Sequence, residues 1–192
     1  MPNKKKIGVL ISGNGSNLQA LIDACEQPDF PAEITVVISN KESAYGLNRA
    51  SEHGIPAHII SHKNYKTREA FDEAMHKLLL HHNAEIICLA GFMRLLSAGF
   101  ITKWRGRILN IHPSLLPNFK GAHAVRDALE AEEKETGCTV HLVTEELDSG
   151  PVILQAKVPV LPDDTEDSLH QRIHEQEHRI YPQALRILVE KL

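Results

Sequence analysis

Short apolar runs alternate with amphipathic stretches along most of the chain. IGVLI (7–11) leads into the polar loop SGNGSN and then LQALIDAC. ITVVIS (34–39) leads into a polar turn and YGLNRASEHG, and AHII (57–60) into TREAFDEAMHKLLLHH. IICLAG (86–91) precedes a short segment ending at Trp104, and ILNI (108–111) stops at a proline loop. This order predicts βαβ units and a mainly parallel sheet. The strand runs are nearly continuous, as expected where helices cover both faces.

The clearest periodic helix is predicted over 67–83, with Phe71, Met75, Leu78 and Leu79 on one stripe. His81 and His82 fall at its end, where positive charge suits the helix dipole. A further helix is expected after residue 121 through about Glu135, closed by Gly137. Two long runs, 138–147 and 150–160, then read as strands joined by AspSerGly. Cys138, Val140 and Leu142 alternate with Thr139 and His141, which predicts half-buried strands paired as a hairpin-like extension at the sheet's edge. A last helix is expected from Thr165 towards Leu192, bent or broken at Pro182. Its apolar stripe of Leu169, Ile173 and Ile180 also carries Glu177. A carboxylate on a buried face needs a partner; read alone, Glu177 belongs at a solvated edge. With no repeat and no long linker, residues 1–192 read as a single domain. Its 1–100 half holds the glycine loop, and its 101–192 half the proline loop, edge strands and final helix.

Composition changes this picture little. The 192 residues are 42% hydrophobic and 24% charged, the balance of an ordinary globular chain. A net charge of −4 argues against a nucleic-acid partner. Lys4–Lys6 read as a solubilising start. Cys25, Cys88 and Cys138 share no CxxC spacing and read as small buried hydrophobes in a reducing compartment. No run approaches the ~20 apolar residues of a membrane span, and no secretory signal is evident. A cytoplasmic protein is expected.

Two stretches carry candidate chemistry. In GNGSN (13–17), between a strand and a helix, Gly13 and Gly15 permit a tight turn. The amides of Gly15, Ser16 and Asn17 could then face a phosphate or carboxylate; a plain turn with an N-cap is the other reading. The loop lacks the third glycine of a dinucleotide fingerprint and the GK[ST] of a P-loop. In ILNIHPSLLPNFKG (108–121), Asn110 and His112 lie two apart and so face one crevice beyond the strand's end. An imidazole there can exchange protons, and an amide can donate to a developing oxyanion. Asp148, in the LDSGPV turn, is the carboxylate expected to orient the ring, with Glu145 and Glu146 as alternatives. Ser114 has no GxSxG elbow. No HExxH or comparable metal spacing occurs, and His81/His82 or His112/His123 lack further ligands, so no metal is expected.

With these motifs in view, the chain resembles the folate formyltransferases, and most closely the phosphoribosylglycinamide formyltransferase family. The matching stretches are LISGNGSNLQALIDAC, ISNK, LAGFMRLLS, LNIHPSLLPNFKG, ELDSGPVILQAKVPV and QEHRIYPQAL. HPSLLP is shared with the methionyl-tRNA formyltransferase and formyltetrahydrofolate deformylase; ISGNGSN selects the ribonucleotide enzyme. The resemblance implies a Rossmann-like formyltransferase fold with a C-terminal antiparallel extension. It implies transfer of a formyl group from 10-formyltetrahydrofolate, as co-substrate, to the amine of glycinamide ribonucleotide, without a metal. By the same resemblance Asn110, His112 and Asp148 would be catalytic. Gly13, Asn14, Gly15, Ser16, Asn17 and Glu177 would bind the ribonucleotide. Folate would be held by Arg68, Leu89, Phe92, Met93, Arg94, Leu95, Leu96, Asn110, Thr144, Glu145, Glu146, Leu147 and Asp148. Only small-molecule partners are implied, with no nucleic acid or membrane, in a monomer or homodimer. The chain departs from many relatives at Val125, where they carry a second histidine after His123. It also ends at Leu192 where typical members continue, an expected loss of packing at the sheet's far end but not of the trio. A deformylase would usually carry an N-terminal regulatory domain, and the tRNA enzyme a C-terminal one; neither is expected here. The remaining rival is a binding protein that kept the fold without turnover.

Overall fold

The structure is a computed structural model and describes residues 3–192. Seven strands form one sheet in the order β3-β2-β1-β4-β5-β6-β7. They are β1 (Lys5–Ile11), β2 (Ala32–Ser39), β3 (Ala57–Ile59), β4 (Ile86–Leu89), β5 (Ile108–His112), β6 (Glu135–Leu142) and β7 (Val152–Pro159). The first five run parallel, and β6 and β7 add antiparallel strands at one edge. The helices are α1 (Ser16–Cys25), α2 (Gly46–Glu52), α3 (Arg68–His81), α4 (Ala98–Lys103), α5 (Ala124–Glu130) and α6 (Glu166–Lys191). The strand order reverses between β1 and β4, so a crevice opens beyond their carboxyl ends, the usual ligand site of such sheets.

Two apolar layers sandwich the sheet. Ile7, Val9 and Ile11 of β1 join Leu18 and Leu21 of α1 and Ile173, Ile180 and Leu185 of α6 on one face. Leu10 points the other way, into a layer of Phe71, Met75 and Leu79 from α3 with Phe100 and Trp104. Both sides of β1 are therefore dry, which explains its unbroken apolar run. The expected stripe on α3 is observed, and its Thr67 cap accepts a hydrogen bond from Ala70 N–H (3.1 Å).

Three expectations need correction. The helix after residue 121 ends at Glu130, and Gly137 lies inside β6 rather than closing that helix. A Cβ there would sit 1.9 Å from the carbonyl oxygen of Ala156, so Gly137 serves the close approach of β7. β6 is not half-buried: Cys138, Thr139, Val140 and His141 are all buried. α6 covers one face while the proline loop covers the other, through Thr139 Oγ1, which donates to Ser114 O (2.7 Å) and accepts from Leu116 N–H (3.1 Å). Finally, α6 runs unbroken through Pro182. The lost backbone bond is outweighed by burial of Ile180, Tyr181, Ala184, Leu185 and Leu188 around it. Tyr181 also donates its hydroxyl to the carbonyls of Leu89 (2.8 Å) and Leu109 (3.1 Å), tying α6 to the ends of β4 and β5.

Candidate active site

The glycine loop joins β1 to α1. Gly15 is the N-cap of α1, in the left-handed region at φ 78°, and no side chain caps the helix. The first amides of α1 are therefore left without a side-chain cap, with the helix dipole behind them. The loop is held from α2: Gly46 N–H donates to Gly13 O (3.1 Å), and Arg49 donates to Asn14 O (2.9 Å) and Asn14 Oδ1 (2.5 Å). Arg49 places a guanidinium beside a candidate anion site; nothing in the local sequence marked it.

Glu177 is buried, 3% exposed, on the inner face of α6. Asn17 Nδ2, the last residue of the glycine loop, donates to Glu177 Oε2 (3.1 Å), while Asn17 Oδ1 is buried without a partner. Burial pushes the Glu177 carboxyl up from its ordinary value; the Asn17 bond and the nearby His170 and His112 oppose this. His174 Nε2 lies 3.6 Å from the same oxygen. The solvated-edge reading of Glu177 is thus wrong. The sequence signal was its place on the stripe with Ile173 and Ile180.

Asn110, His112 and Asp148 come from β5 and from the turn between β6 and β7. Ile111 points into the core between the first two, as the strand's alternation requires. His112 and Asp148 are 6% and 9% exposed, with His112 Nδ1 3.6 Å from Asp148 Oδ2. His112 Nε2 donates to Phe119 O (2.8 Å), so the neutral ring turns a bare Nδ1 towards the carboxylate. Only the doubly protonated ring could donate to both. Asp148 is a non-glycine residue at φ 51°, and its Oδ2 accepts from Gly121 N–H (2.8 Å). The proline loop and the LDSG turn thus hold each other. Glu145 and Glu146 are exposed, and Glu146 faces Lys120 (3.9 Å) rather than the imidazole.

A fourth residue belongs to this cluster. Asn110 and His141 are directly opposite on β5 and β6, and Asn110 Nδ2 lies 3.3 Å from His141 Nε2. His141 Nδ1 donates to Leu142 O (3.0 Å), which leaves Nε2 as an acceptor and fixes which end of the Asn110 amide faces it. Burial lowers the His141 pKa; the Leu142 carbonyl and Asp148 pull the other way without overcoming it. Asp148 Oδ1 stands 4.0 Å from Nε2, a contact between a carboxylate and a neutral ring rather than an ion pair. Strand alternation had placed His141 opposite Thr139's neighbours, but without the β5–β6 register nothing tied it to Asn110.

The residues expected to form the folate wall differ in exposure. Leu89 is buried and Phe92 and Leu96 half-buried, whereas Met93 (68%) and Leu95 (57%) are exposed. Leu147, in the 144–148 turn, is 51% exposed. Arg94 and, at the start of α3, Arg68 are exposed. All three thiols are free and buried, and burial pushes Cys25 and Cys138 up to about 12, so none offers a ready nucleophile. Among the described residues no cluster of three His, Cys, Asp or Glu side chains could hold a metal ion, and no helix is long and apolar enough to cross a membrane.

A doubly covered sheet with an anion loop, an Asn–His–Asp cluster and an apolar wall at one crevice has counterparts among known proteins. The family described as formyl transferase matches residues 5–185, so the chain is a member of that class. Phosphoribosylglycinamide formyltransferase of Escherichia coli K12 is 51% identical over 177 residues, covering 92% of this chain and 83% of that protein. The solved glycinamide ribonucleotide transformylase 1 of Symbiobacterium toebii superposes with a TM-score of 0.96 at 49% identity, covering 98% of this chain and 89% of that one. Within its class the chain therefore belongs to the phosphoribosylglycinamide formyltransferase family. The trifunctional purine biosynthetic protein adenosine-3 of Chironomus tentans is 55% identical over 187 residues, but the chain spans only 14% of its length.

Proposed function

We propose that this chain transfers the formyl group of 10-formyltetrahydrofolate to the amine of glycinamide ribonucleotide, a step of purine biosynthesis. The observation that carries this reading is the convergence of Asn110, the buried His112–Asp148 pair and the Asn17–Glu177 bond on one crevice. One part of that crevice suits an anion and a sugar, and the other suits a flat apolar donor.

In this reading the ribonucleotide's phosphate sits on the amides of residues 13–17, with Arg49 behind them. Glu177 accepts from ribose hydroxyls. The pterin lies between residues 89–96 and 144–148. The amine attacks the formyl carbon, a C–N bond forms, and charge gathers on the formyl oxygen. The second N–H of the Asn110 amide stabilises that oxygen, and His112 joins it when Nε2 turns from Phe119 O on substrate binding. His141, which bonds to Asn110 and not to substrate, is a positioning residue. Collapse breaks the bond from carbon to N10, and the proton leaving the amine passes to N10 with Asp148 assisting through the imidazole or a water. The 3.6 Å separation of His112 and Asp148 is typical of catalytic pairs that tighten on substrate.

The same reading takes residues 1–192 as one domain, working in the cytoplasm as a monomer or homodimer; the free, buried cysteines suit a reducing compartment. The test is an assay of the purified protein with 10-formyltetrahydrofolate, with and without glycinamide ribonucleotide. Tetrahydrofolate release that requires the ribonucleotide is the expected result. Release with water alone would indicate a deformylase, and saturable binding without turnover a binding protein.

A further inference from the structure

Ser12 follows β1 and precedes Gly13, and it has no part in the chemistry described above. It is 5% exposed, and Asn40, just past the end of β2, is 3% exposed, so neither is placed to touch a substrate. Ser12 Oγ–H donates to Asn40 Oδ1 (2.5 Å), and the same hydroxyl oxygen accepts from Met93 N–H (2.8 Å). The directions are fixed, because a backbone N–H only donates and an amide oxygen only accepts.

Met93 lies midway along the 89–97 segment, whose backbone is held from behind at several points. At its start Ala90 N–H donates to Leu10 O (2.9 Å), and the Tyr181 hydroxyl donates to Leu89 O (2.8 Å). At its end Ser97 N–H donates to Asp72 Oδ2 of α3 (2.6 Å). Between these anchors the chain leaves the sheet through Gly91, at φ 72°. The Met93 side chain is 68% exposed, while its amide is pinned to Ser12. Ser12 is thus a point beyond the sheet where this segment and the glycine loop are joined, since the next residue is Gly13.

We propose that Ser12 is a positioning residue that sets the register between the two substrate-binding segments, with Asn40 orienting its hydroxyl. The inference rests on the formyl-transfer reading above, in which residues 13–17 hold the ribonucleotide and residues 89–96 the pterin. On that reading the relative placement of the two segments is the relative placement of amine and formyl carbon. Reacting atoms must stand roughly 3–3.5 Å apart, and a misplacement of about 1 Å costs on the order of 10² in rate. Each substrate alone can settle on its own segment; only the pair has to meet. Loss of the Ser12 hydroxyl should therefore act on the rate of transfer rather than on either affinity. It also leaves the Met93 amide and the Asn40 oxygen without their partner, so stability falls as well. The rate, and not the stability, is the discriminating readout.

The experiment compares the wild-type chain with Ser12→Ala, Ser12→Cys and Ser12→Thr, each well below its unfolding temperature. Calorimetry measures the affinities for tetrahydrofolate alone and for glycinamide ribonucleotide alone. A single-turnover assay with 10-formyltetrahydrofolate and the ribonucleotide, both saturating, measures the transfer. Ser12→Ala should slow transfer about tenfold, with both affinities within about threefold of wild type. Ser12→Cys fills the same space with a weaker donor and acceptor, so it should fold even where alanine does not, and slow transfer in the same direction. Ser12→Thr keeps the hydroxyl and should recover most of the rate. Wild-type transfer in the alanine or cysteine variant, however unstable, would overturn the positioning role. So would a loss confined to folate affinity with the saturated rate intact, or a threonine variant as slow as alanine. The wild-type chain separates this inference from the reaction it rests on. Ribonucleotide-dependent transfer in wild type without slowing in the variants sinks the positioning role alone, whereas no transfer in wild type sinks the reaction itself.

Discussion

The glycine loop and the Asn–His–Asp cluster sit at the same end of the sheet but are built in opposite ways. The loop is one contiguous run, GNGSN, and its uncapped amides follow from a left-handed Gly15 and a helix that starts immediately after it. The cluster draws on β5, the proline loop and the turn after β6, and its parts meet only because β6 pairs antiparallel to β5. The loop presents groups that are fixed before any substrate arrives and suit binding. The cluster presents titratable groups near contact, and its geometry suits a change during reaction. Damage to the first should therefore appear in KM, and damage to the second in kcat.

The sharpest break of that contrast is Asp148→Asn, which keeps the shape and removes the charge. We expect turnover to fall by at least ~10² with both KM values little changed, as for a lost acid–base partner. Steady-state kinetics across pH 6–9 checks it; near wild-type kcat in a folded variant would reduce Asp148 to a turn cap. On the other side, Gly13→Val adds a side chain where nothing lies within 4 Å, so the fold should survive. Gly15 is a poor choice, because a Cβ there would meet Gly46 Cα at 2.8 Å. Gly13→Val should raise the ribonucleotide KM about tenfold or more, the worth of hydrogen bonds to a charged group, and leave folate affinity alone. A shift in kcat instead would merge the two regions into one.

Glu177→Ala tests the joint between them. It should raise the ribonucleotide KM by a smaller factor, roughly fivefold, while thermal unfolding shows no loss of stability, since a costly buried carboxyl is gone. A drop in Tm with unchanged KM would make Glu177 a purely structural partner of Asn17. The smallest effect is on pH-dependent stability. The folded His141 pKa lies below its ordinary 6.5, so the folded chain binds that proton less readily than the unfolded one. Its contribution is present above pH 6.5 and lost as pH falls through the lowered value. Glu177, raised above 4.5, acts oppositely: its contribution is present below pH 4.5 and lost as pH rises through the raised value. His141→Gln should therefore flatten part of the acid limb in denaturant titrations between pH 4.5 and 6.5. His62, His76, His82, His170, His174 and His178, whose pKa values burial also lowers, share that limb. An unchanged limb would mean that His141 titrates alike in both states.

The contrast also explains what could be read from the chain alone. The β–α alternation, the α3 stripe, the glycine loop and the pairing of Asn110 with His112 are local patterns, and local patterns survive in one dimension. Gly137, His141 and Arg49 were missed or misread because each acts on a residue brought near by the fold: Ala156 across β7, Asn110 across β5, and Asn14 from α2. At Pro182 the expected bend or break does not become a break. Helix rules weigh a proline against its own helix, whereas here the surrounding core decides.

The hydroxyl of Tyr181 has a consequence for solvent. β4 and β5 share only the pairs Ile87↔Ile108 and Cys88↔Leu109 before they part to open the crevice. Just there the carbonyls of Leu89 and Leu109 would each call for a water, and Tyr181 satisfies both from within the protein. The two carbonyls where β4 and β5 part are therefore held by a side chain of the helix behind the sheet, and the separation of these strands is set from the protein's interior.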